Sequence, residues 1–74
     1  MTSEIESFIK RDNARFIAGF IESGKINKES FYQRAHLIAQ WRRSESDASY
    51  DDLYAAAYNE LHAEIKSANL EITQ

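Results

Sequence analysis

Apolar residues recur at three- and four-residue intervals along most of the chain, in three blocks separated by polar punctuation. Such spacing gathers side chains on one face of an α-helix, which turns about 100° per residue. The first block opens at Ser3-Glu4-Ile5-Glu6, a capping box in which the serine hydroxyl takes an orphan amide and Glu6 reaches back. It predicts a helix over about 4–23, ended by Gly24, the residue type suited to the left-handed position that follows a helix. Asn27 is the next cap, and a second helix follows over about 28–43. The polar, acidic stretch 44–49 reads as a loop. Ser49-Tyr50-Asp51-Asp52 then opens a third helix over about 50–69, beyond which the chain is expected to fray.

The three apolar faces differ. Leu53, Tyr54, Ala57, Leu61, Ile65 and Ala68 form an ordinary stripe along the third helix. On the second, Phe31, Ala35 and Ile38 mark a centre that Tyr32, Leu37, Ala39 and Trp41 widen past half the circumference, as in a helix packed between neighbours. The first helix points Ile5, Phe8 and Ile9 one way, then adds Ile17 and Ile21 to Phe16 and Phe20, so its arc swings round. Asp12 and Asn13 stand at the changeover. Either the helix kinks there, or its second half is covered from two sides. The second option favours a homodimer with Ile17, Gly19 and Ile21 at the interface, Gly19 allowing a close helix crossing.

Composition narrows the fold to all-α, a small three-helix bundle, possible as a homodimer through the first helix. Proline and valine are absent, glycine occurs twice, and ten alanines sit among good helix formers. Seventy-four residues suffice for a single helical domain with a modest core. Without cysteine there are no disulfides, thiolate metal sites or thiol chemistry, so association with a second subunit is the remaining aid to stability. The N-terminus lacks the basic run and apolar core of a signal peptide, and no apolar run approaches the ~20 residues that span a bilayer. A cytoplasmic protein without membrane contact is expected.

Charge divides the chain. Residues 1–43 carry a net +3 and residues 44–74 a net −6. Asp51 and Asp52 in a first helical turn, and Arg42 and Arg43 in a last one, complement the helix dipoles. Glu60 and Glu64 have no such explanation, being like charges four apart in a C-terminal half. They either pair across the bundle with Arg11 or Arg15 or form an acidic strip facing a basic partner. Beside them, Tyr50, Tyr54 and Tyr58 make a ladder whose apolar bodies and polar tips suit a core edge or a binding surface.

Reactive chemistry is not evident. His36 and His62 lack companions at ligand spacing, and there is no phosphate-binding glycine loop or nucleophile-plus-base constellation. No enzymatic activity, cofactor or metal is expected. The reading favoured by the residues is a macromolecule-binding module, an inhibitor or adaptor masking or bridging a protein partner with a basic surface, through Asp51, Asp52, Tyr54, Tyr58, Glu60 and Glu64. Phage and plasmid accessory proteins include small acidic modules of this kind. The alternatives are a purely structural oligomer subunit and a helix-turn-helix-like DNA-binding regulator. The latter would use Lys28, Arg34, Trp41, Arg42 and Arg43 of the second helix, against the chain's acidic balance and a glutamate, Glu29, at the inserting end.

Overall fold

The computed structural model describes residues 3–74. Three helices form a small compact domain: α1 (Glu4–Ala18), α2 (Lys28–Arg43) and α3 (Tyr50–Ser67), with two three-residue strands, β1 (Lys25–Asn27) and β2 (Glu71–Thr73). Each helix starts at the cap its sequence announces. Ser3 Oγ accepts from the Glu6 amide at 3.0 Å, Asn27 Oδ1 from Ser30 at 2.7 Å, and Ser49 Oγ from Asp52 at 3.2 Å. The reciprocal half of the first capping box is not made, because the Glu6 carboxylate bonds to Arg42.

The core joins Ile9 and Ile17 of α1 and Ile26 of β1 to Phe31, Ala35 and Ile38 of α2, Ala57, Leu61 and Ile65 of α3, and Leu70. Helix α2 touches α1, α3 and both strands, which accounts for its broad apolar arc.

Helix α1 departs from expectation at its far end. It runs without a break through Asp12 and Asn13 but stops at Ala18 instead of continuing to residue 23. Gly19 is therefore the C-cap of α1, not a mid-helix residue at a crossing. A Cβ placed there meets only α1's own carbonyl oxygens, at 3.3 Å (Phe16) and 3.9 Å (Arg15). The swing in the apolar pattern comes from the chain leaving the helix: Ile17 is buried in the domain's own core, whereas Ile21, in the following turn, is 53% exposed. Gly24 does adopt the left-handed conformation, with φ +74°, and its amide donates to the Phe20 carbonyl at 2.9 Å.

The C-terminus does not fray. Asn69 takes φ +62°, the Leu70 amide donates to the Ile65 carbonyl at 3.1 Å, and the Asn69 amide donates to Lys66 at 3.0 Å. This is a Schellman ending with Asn in the place glycine usually holds, and its apolar contact is Leu70 on Ile65. The reversal aims residues 71–73 back along β1. The two strands pair in parallel, Ile26 opposite Ile72. Their orientation follows from the connection: α2 leads away from β1, α3 returns antiparallel to it, and the Asn69 turn sends the chain outward again. The pair adds a short sheet to an otherwise helical fold. It seals the base of the core, where Ile26 is 1% exposed and Leu70 4%.

Candidate functional site

Two arginines of α2 hold the helices together. The Arg42 guanidinium donates to Glu6 of α1 through Nε and Nη2, at 2.8 and 2.9 Å. It also donates to Glu60 of α3 through Nη1 and Nη2, at 2.6 and 2.9 Å. The two carboxylates hold its proton more tightly than usual, the Glu60 bonds first, against the opposing effect of burial. Arg34 lies deeper, at 9% exposure. Its Nε donates to Asn13 Oδ1 at 2.9 Å and its Nη2 bonds to Asp12. Its carbon centre lies 4.9 Å from the Phe16 ring centroid and 5.2 Å from that of Trp41. Asp12 and Asn13 thus sit on the apolar side of α1 because they receive this cation.

These pairings redistribute the residues singled out from the sequence. Glu60 pairs with Arg42 of α2, not with Arg11 or Arg15. Glu64 stays exposed near Glu60. Partial burial and the Glu60 charge push its carboxyl up, with the Asn13 amide, Arg34 and Arg42 pulling the other way. Glu6, Lys10, Asn13, Arg42, Glu60 and Glu64 form the polar walls of a cleft of about 280 Å³ between α1 and α3. Among the five residues considered for nucleic acid, Arg34 and Arg42 are engaged internally, and Trp41 meets Phe8 edge-on at 4.9 Å. Lys28 and Arg43 are exposed.

The remaining feature is aromatic. Tyr50, Tyr54, Tyr58 and His62 follow one another along α3 with ring centroids 6.0, 6.4 and 6.3 Å apart. Tyr32 of α2 stacks beside Tyr58 at 6.2 Å, and Phe31 supports Tyr58 from the core at 4.8 Å in an edge-on contact. His36 Nδ1 bonds to the Tyr50 hydroxyl and closes that end of the row. The hydroxyls of Tyr32, Tyr54 and Tyr58 make no hydrogen bond to any described residue. Burial, then the neighbouring Tyr50, Tyr32 and Tyr58, push the Tyr54 phenol above its ordinary range.

The row lies away from α1. Arg34 and Trp41 face α1, whereas Tyr32 and His36 are turned about 160° and about 200° from Arg34 around α2. Asp51 borders the same side of α3 as Tyr54 and Tyr58, and Asp52 is turned about 100° further round. Tyr32 and His36, four residues apart, and His62, continuing the tyrosine spacing, complete a surface that the tyrosine ladder alone announces.

Among the described residues no helix is long and apolar enough to cross a membrane, and no three His, Cys, Asp or Glu side chains are grouped to hold a metal ion. Comparison with known protein families, curated proteins and solved structures finds no match to this chain.

Proposed function

We propose that this chain is a non-enzymatic binding module that masks or bridges another protein through the α2–α3 seam. One observation carries the reading: Tyr32, Tyr54 and Tyr58 stand side by side at the surface with hydroxyls bonded to no described residue. Tyrosine offers a large, stiff contact area with little rotamer entropy to lose, and its hydroxyl can donate or accept once a partner excludes water. Tyr58 is pre-positioned by Phe31 and Tyr32, which lowers the cost of ordering it on contact.

The acidic part of the surface is smaller than the charge pattern suggests. Glu60 is occupied by Arg42, leaving Asp51 as the carboxylate bordering the rings. A nucleic-acid reading loses support for the matching reason, since two of its arginines are neutralised within the fold.

The test is capture of a partner from the native host by tagged protein, comparing wild type with Tyr32→Ala and Tyr54→Ala. Loss of one specific protein with helical content unchanged supports the reading. Capture indifferent to both substitutions, or turnover of a small molecule by the purified protein, defeats it. Self-association is a separate reading, favoured by the 53% exposure of Ile21 in the turn that follows α1. A monomeric mass in solution removes it.

A further inference from the structure

We infer that the aromatic seam takes an arginine-bearing protein segment, whose guanidinium groups lie on Tyr32, Tyr54 and Tyr58 and pair at the edge with Asp51. This rests on the reading of the seam as the contact surface and adds the chemistry of the partner. Two observations carry it. The first is charge complementarity. Residues 43–52, at the Tyr50 end of the row, carry a net −3, and Glu45, Asp47, Asp51 and Asp52 are all exposed. None of the four is ion-paired among the described residues. The faces of the rings are themselves electron-rich, so ring quadrupole and carboxylates favour the same guest, a cation.

The second observation is the chain's own use of this geometry. Arg34 lies 4.9 Å from one aromatic centroid and 5.2 Å from another, with the Asp12 carboxylate on its edge. At the seam, helical spacing sets Asp51 on the same face of α3 as Tyr54 and Tyr58. Arginine fits this better than lysine, because its planar group stacks on rings, pairs with a carboxylate in a fork and is more weakly hydrated.

The experiment titrates the full chain with two peptides of equal length and charge, one carrying arginines spaced by Gly-Ser and the other lysines. Tyrosine ring signals are followed by NMR at about 150 mM salt, where unspecific attraction is screened within ~8 Å. The arginine peptide should bind at least ~3-fold more tightly than the lysine peptide, the span expected of a ring–cation contact. Tyr54→Leu should weaken it ~3- to 10-fold and Asp51→Asn ~2- to 5-fold, on the same grounds. Tyr32→Ala, at a 40% exposed position outside the buried core, gives a second ring variant, with helical content checked by circular dichroism. Equal affinity for both peptides, insensitive to the ring substitutions, would reduce the effect to net charge and overturn the inference. If neither peptide binds while the ring substitutions still abolish capture of a host protein, the arginine assignment falls and the contact surface stands.

Discussion

Arg42 and Glu60 meet through two hydrogen bonds, at 2.6 and 2.9 Å, and the same guanidinium reaches Glu6 on the opposite helix. One side chain of α2 therefore clasps α1 to α3, across a cleft where those helices have little direct packing. Both carboxylates are about half exposed, at 43% and 53%, so each pair is worth no more than a surface salt bridge, about 0.2–1 kcal/mol. Arg42→Ala should cost about 1 kcal/mol in urea unfolding. Most of that difference should vanish at about 1 M salt, where screening acts within ~3 Å. Hydrogen exchange should quicken first in the N-terminal turn of α1.

Arg34 differs because its partner Asn13 is only 3% exposed. Truncation leaves the Asn13 carbonyl oxygen without its donor in a dry site and removes the packing between Phe16 and Trp41. Arg34→Ala should destabilise by about 2–4 kcal/mol, enough to threaten folding of so small a chain. Arg34→Lys should recover only part of this, since an ammonium cannot bond Asn13 and Asp12 in a planar fork. An Arg34→Ala protein with wild-type thermal stability would show that the cation is not structural.

Residues 69–72 are predicted to be part of the cooperative unit. Leu70→Ala empties a site that is 4% exposed and should cost about 2–4 kcal/mol. Asn69→Ala forces an alanine to φ near +62° and should cost about 1 kcal/mol, while Asn69→Gly should be neutral or better. Chemical denaturation of the three variants checks the order.

Glu64 supplies a pH test. Its carboxyl is raised by partial burial and by Glu60, so the folded state holds that proton more tightly than the unfolded chain. The resulting penalty is absent below the ordinary glutamate range and develops as pH rises through the raised folded value. Glu64→Gln should therefore stabilise at pH 7 by a few tenths of a kcal/mol, the scale of an i,i+4 like-charge pair. The gain should shrink toward zero as the solution is acidified. A gain that grew on acidification would contradict the assigned cause.

Much of the fold is legible in the amino-acid sequence alone. Ser3, Asn27 and Ser49 cap the helices as read, Gly24 takes the left-handed position, and the α3 stripe is the buried one. These are local matters, decided by which backbone amides a nearby side chain can reach and which face a 3.6-residue period repeats. The Tyr50, Tyr54 and Tyr58 ladder was visible for the same reason.

What only the tertiary structure decided depends on partners distant in sequence. Asp12 and Asn13 looked like a flaw in an apolar arc until Arg34, more than twenty residues away, was placed between Phe16 and Trp41. For Glu60 the sequence offers Arg11 or Arg15 or no partner at all, whereas the guanidinium it meets is that of Arg42. Residues 71–73 carry no long apolar run, and their pairing with 25–27 becomes favourable only once the α2–α3 hairpin has brought both segments to one end of the domain. Periodicity records which face of a helix is wet. The identity of the group that meets a polar residue is set by chain crossing, and that is written in no single segment.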